Sequence, residues 1–186
     1  MQIEDAQLEV RTVYLRGFPG QLVAGLLWLA SAAAGTWGST RLAILILAAG
    51  GAFIFPLTQL VLRAMARPAS LGPENPFAQL AMQVAFIVPL SLPLIGAATL
   101  HRIDWFYPAF MLVVGTHYLP FVFLYGMWEF AVLAAVLILA SVTLGVYVHG
   151  AFAAGGWLTG AVLLAFAIVS LAVVKRGDGV GGSAPL

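Results

Sequence analysis

The sequence predicts an all-α fold: a polytopic transmembrane helix bundle with six spans and both termini on the cytoplasmic side. Three observations carry this. Of 186 residues, 62% are hydrophobic and only 8% are charged, whereas a soluble domain is about 45–50% apolar and about a quarter charged. The eight Lys and Arg and the seven Asp and Glu residues are clustered, which leaves 17–40, 42–62, 75–100, 105–128 and 130–174 free of charge. A helix crosses the hydrocarbon layer with about 20 apolar residues, so four stretches hold one span each and the last holds two. Finally, the basic residues divide unequally between the two ends of such a bundle. Arg11, Arg16, Arg63, Arg67, Lys175 and Arg176 fall on one side and only Arg41 and Arg102 on the other. The richer side is the cytoplasmic one, N-in and C-in.

Residues 1–19 are polar, with Ile3, Val10, Val13 and Tyr14 roughly on one side. They read as a cytoplasmic tail or a short interfacial helix, and Gly17-Phe18-Pro19-Gly20 as the turn into the bilayer. The membrane domain covers 20–174. Its first span is placed at about 21–37, and Gly38-Ser39-Thr40 turns the chain into a second at about 42–62. A loop rich in proline follows, and Asn75-Pro76 reads as a helix cap and first helical position. Span three runs about 77–100 with Pro89 and Pro93 inside, span four about 106–125 with Pro120 inside. Span five runs about 127–149 and span six about 156–174, and the Gly-rich segment 175–186 reads as a disordered cytoplasmic tail. Trp37, Trp105 and Trp157 fall at the outer ends and Trp128 at the inner end, as an aromatic belt requires. Trp28 lies mid-span and is expected to pack on a neighbouring helix.

Several function classes are excluded. A net charge of +1 offers no basic surface for nucleic acid. The absence of cysteine removes disulfides, thiolate metal sites and thiol nucleophiles. Glu4, Asp5 and Glu9 are foreign to the positive head of a cleaved signal. Runs such as Ala131–Ala140 lack the alternation of barrel strands. No zinc helix, no nucleophile elbow and no paired acidic cluster occurs within a span. No catalytic residue, metal ligand or cofactor is therefore assigned.

Polar side chains inside a bilayer are costly and are candidates for function. Gln59 and Arg63 are four apart in span two, and Gln79 and Gln83 four apart in span three. Such pairs share a helix face, so each helix presents a polar stripe in its cytoplasmic half. Glu129 lies at similar depth and His117 about two turns deeper, next to Tyr118. The sharp reading is one cytoplasm-facing cavity, in which Arg63 binds an anion or pairs with Glu129 and His117 relays a proton. The plain reading is interhelical hydrogen bonding, with Arg63 reaching to the interface.

The string His117-Tyr118-Leu119-Pro120-Phe121, followed by Leu124-Tyr125-Gly126, resembles the core of a family of small, uncharacterised bacterial multipass membrane proteins. The resemblance covers about residues 75–130. It implies an integral (inner) membrane location and brings no activity with it. Three functions are open: a small transporter or channel-like protein, an accessory or structural subunit of a membrane complex, and a lipid-modifying enzyme using His117 and Glu129. The partners expected are the lipid bilayer and either a second copy or another membrane protein. Ala30-x-x-x-Ala34, Ser141-x-x-x-Gly145 and Gly156-x-x-x-Gly160 predict close helix approach.

Overall fold

The computed structural model describes residues 1–180, and these form helices joined by short turns, with no strand among them. The helices are α1 (Ile3–Val13), α2 (Phe18–Trp37), α3 (Thr40–Gly50), α4 (Ile54–Ala64), α5 (Phe77–His101), α6 (Phe106–Tyr125), α7 (Glu129–Tyr147) and α8 (Ala154–Val180). Counting α3 and α4 as one continuous helix, six are long and apolar enough to cross a membrane.

Most boundaries fall within two residues of expectation, and the departures have local causes. Helix α2 starts at Phe18, because Pro19 sits in its first turn where no backbone donor is needed. The preceding turn is Leu15–Gly17, whose φ angles of 48°, 55° and 87° are all left-handed. For Leu15 and Arg16 that costs roughly 1–2 kcal/mol each. Packing of Leu15 with Phe18, Leu62 and Ala167 holds the turn in place. Span two is interrupted by a 3₁₀ turn at Gly51–Phe53. Pro56 lacks the amide that would continue the α-helical ladder back through this point. Helix α8 continues through Lys175 and Arg176 to Val180, into the segment expected to be tail. Basic residues favour the negative end of a helix. The rest of that expected tail, 181–186, lies outside the described residues.

The two closest pairings are α2 with α8 and α6 with α7, and α8 also touches α6 and α7. Small residues permit the first. A Cβ on Gly160 would stand 3.1 Å from the Gly25 carbonyl oxygen, so the two backbones nearly touch. The Gly156/Gly160 pair thus serves packing within the chain. Trp28, 1% exposed, meets Phe110 edge-on at 5.3 Å and Tyr107 at 5.9 Å, as its mid-span place predicted.

The remaining spans are peripheral. The continuous helix Thr40–Ala64 packs on α2, and α5 packs on α6. Only 6% and 11% of their most apolar windows are buried, against 50% for the span that contains α2.

Candidate functional site

Helix α1 closes one end of the bundle. Ala6, Val10 and Val13 are its buried residues, so the face turned inward is one step from the expected one, and Ile3 is exposed. The last carbonyls of any helix lack intrahelical donors. Here α6 ends at Gly126 in the left-handed region, whose amide bonds the Phe123 carbonyl, and α1 supplies further donors. Gln7 Nε2 donates to the Phe123 carbonyl at 2.6 Å, and the Arg11 guanidinium to the Tyr125 carbonyl at 2.7 Å. Arg11 also places positive charge at the negative end of the α6 dipole.

The other side of α1 holds the loop before α5. Glu9 accepts from the Gly72 amide at 2.6 Å and from Asn75 Nδ2 at 2.9 Å. These donors, the Gly72 amide first, hold the Glu9 carboxyl below its ordinary pKa. Burial, aided by the Glu9 charge, pushes the Tyr14 phenol up. Asn75 Oδ1 accepts from the Phe77 amide at 2.9 Å, as the Asn75-Pro76 start signal predicted.

The predicted site residues occupy separate surroundings. Glu129 accepts from Arg16 at 2.8 Å, with the two side chains 34% and 24% exposed. Arg63, offered as its partner by sequence, is exposed on α4. The turn at Leu15–Gly17 brings Arg16 to Glu129, and this left-handed geometry had no signature in the sequence. The His117 ring lies near the Val84 backbone of α5, and its buried Nδ1 has no hydrogen-bond partner among the described residues. Tyr118 and Phe121 flank it at ring distances of 5.6 and 5.0 Å. Tyr118 itself is buried and stacks on Phe130. Gln59 is half-buried on α4. Gln79 and Gln83 are exposed on α5, on the face opposite Phe77, Val84 and Ile95, which are the buried residues of that helix. Among the described residues no hydrogen bond or ion pair joins these predicted side chains to one another. The helical spacing that put each Gln pair on one face was right, but that face of α5 turns outward. None of Arg63, Gln79 and Gln83 has a polar partner among the described residues.

Two features were missed in the sequence. Ser31 donates to the Ala43 carbonyl at 2.8 Å and shares a 2.6 Å hydrogen bond with the Tyr107 hydroxyl, linking α2, α3 and α6. Because the Ser31 proton goes to Ala43, Tyr107 is the donor in the second bond. A serine and a tyrosine 76 positions apart carry no sequence signal of this. The second feature is a lateral groove of about 420 Å³ between α2 and the α3–α4 helix, lined by apolar residues including Leu26, Leu27, Ala30, Phe53, Leu57 and Leu60. It offers no charged or hydrogen-bonding side chain. Among the described residues no group of three or more His, Asp and Glu is placed to hold a metal ion.

A family model matches residues 3–173. The chain belongs to the Family of unknown function (DUF7010). The match begins with the first residue of α1, so the capping helix is part of the family's unit along with all six long apolar helices. No curated protein and no solved structure matches the chain.

Proposed function

We propose that the protein is a structural or accessory subunit of a membrane assembly. The observation that carries this is the pair of thinly packed spans bearing polar groups that point away from the bundle. Helix α5 rests mainly on α6, with a smaller contact to α1, and the Thr40–Ala64 helix rests mainly on α2, yet Gln79, Gln83 and Arg63 stand on their exposed surfaces. An amide left without a hydrogen bond in an apolar medium costs roughly 2–7 kcal/mol. Lipid tails cannot supply that bond, and a neighbouring protein helix can. Arg63, Gln79 and Gln83 are on this reading contact residues. Glu129, paired with Arg16, and Tyr118, stacked on Phe130, hold the chain's own elements together.

The transporter or channel reading and the acid–base reading both needed His117 and Glu129 at one polar pocket. Glu129 instead pairs with Arg16, and His117 sits between the rings of Tyr118 and Phe121 with no hydrogen bond or ion pair to Glu129 among the described residues. The excess of basic residues on one side, six against two, favours cytoplasmic termini. The family resemblance favours a bacterial inner membrane.

Site-specific photocrosslinking of the full chain in intact membranes tests the proposal. A photoreactive residue at position 63 or 83 should give adducts of protein mass, and one at Leu139, on the outward face of α7, should give lipid adducts. Lipid adducts alone from all three positions would overturn it.

A further inference from the structure

We infer that the lateral groove between α2 and the α3–α4 helix is a lipid site, and that its occupant is one acyl chain of a phospholipid from the leaflet at the basic end of the bundle. The inference goes beyond the subunit reading and needs only the membrane placement of the helices. The groove originates in the backbone. Helix α2 lies closer against α3 than against α4, and the 3₁₀ turn at Gly51–Phe53 separates the two packings. A Cβ on Gly50 would stand 2.5 Å from Leu27 Cδ1, so the helices touch there and close the groove at that end. Beyond that contact the walls part. Leu26, Phe53, Leu57 and Leu60 line the opening and remain 44–61% exposed.

Depth selects the occupant. Along the α3–α4 helix the lining runs from Gly50 to Val61, about 16 Å at a rise of about 1.5 Å per residue. Half the hydrocarbon thickness of a bilayer is about 15 Å. Val61 lies near the end of the span Thr40–Ala64 and Gly50 near its middle. On α2 the lining runs from Val23 to Ala30, again from near the start of the helix to its middle. The groove thus covers one leaflet and stops near the midplane. A spanning helix of a partner protein crosses both leaflets and calls for a surface of about 30 Å, whereas a single acyl chain ends where this groove ends. The volume agrees. A cavity of about 150 Å³ lined by Leu, Ile and Phe takes up benzene. On that scale the 420 Å³ of this groove hold on the order of fifteen carbon atoms. Arg16, Arg63 and Arg67 stand at the same end of the bundle, and positive charge there attracts the phosphate to which such a chain is joined. Arg63 is not one of the lining residues, so the protein contact proposed for it is unaffected.

The test uses the full chain in vesicles of phosphatidylcholine and phosphatidylglycerol that contain a phosphatidylcholine with a photoreactive group midway along one acyl chain. Labelling of the α2 and α4 peptides should saturate at a single lipid per chain as the probe fraction rises. Labelling around Leu139, exposed on α7, should rise in proportion to the probe. Ala30→Trp fills the groove from α2 and should lower labelling of its walls several-fold, with no change around Leu139. Leu57→Trp fills it from α4, should act in the same way, and serves alone if Ala30→Trp does not fold. Wall labelling that tracks the probe as Leu139 does, or that is indifferent to the tryptophans, would overturn the inference. A photoreactive residue at position 30 that gives adducts of protein mass would also overturn it, and would leave the subunit reading standing. Lipid adducts alone from positions 63, 83 and 139 would remove the subunit reading and leave saturable labelling of the groove intact.

Discussion

Replacing Ser31 should destabilise the protein more than replacing Tyr107, although both side chains belong to one hydrogen-bonded pair. Both are fully buried, and the chain of donors runs from the Tyr107 hydroxyl to Ser31 to the Ala43 carbonyl. Tyr107→Phe removes one donor and leaves the Ser31 proton on Ala43. Its aromatic contacts with Trp28, Phe106 and Phe152 survive. The expected cost is about 0.5–1 kcal/mol, within the range for a net hydrogen bond and near the average measured in a membrane bundle. Ser31→Ala strands the Tyr107 hydroxyl without an acceptor, and a stranded buried group costs about 1–3 kcal/mol. The Ala43 carbonyl keeps its helical partner in either variant. The double variant should cost less than the sum, with a coupling of about 1 kcal/mol. Reversible unfolding of the full chain in mixed micelles measures all four corners of this cycle. A Tyr107→Phe cost equal to or above that of Ser31→Ala, or a coupling near zero, would refute the donor order and the lock between α2, α3 and α6.

Three further outcomes are expected. Glu9 has a folded pKa below its ordinary value, so its hold on the loop before α5 is complete above the ordinary value and is lost as pH falls through the folded one. Hydrogen-exchange protection of the Gly72 amide should fall with that titration, and in Glu9→Gln it should not follow pH. Ala66 sits at φ 54° just past α4, where the Arg67 amide returns to the Leu62 carbonyl at 3.0 Å. Glycine is the residue suited to that position, so Ala66→Gly should stabilise by about 0.5–1 kcal/mol, read as a shift in the unfolding midpoint. Gly160→Val places carbon where the Gly25 carbonyl oxygen is 3.1 Å away from a Cβ. It should destabilise by about 1–3 kcal/mol in the same assay, whereas the same change at Gly51, which has open space around it, should not.

The six long apolar helices were legible because scarcity of charge over about 20 residues is a signal written along the chain. Helix α2 began early and α3–α4 broke in the middle through Pro19 and Pro56, whose effects are local and readable. The direction in which each face points was not legible. Lipid and protein core are equally apolar to a leucine, so the Gln79/Gln83 stripe was correctly placed on one face and wrongly turned inward. The role of α1 was hidden for a different reason. Gln7 and Arg11 bind backbone carbonyls of Phe123 and Tyr125, and every residue has a carbonyl. The Arg16–Glu129 pair needed three consecutive left-handed residues, two of them not glycine, and only packing against Leu62 and Ala167 makes that turn tenable.

Native mass spectrometry of the full chain released directly from membrane vesicles tests the central claim most directly, because it weighs the assembly without choosing a site in advance. The account predicts masses above that of one chain, with at least one further polypeptide bound. A single chain carrying only lipid, at every protein density sampled, would contradict it.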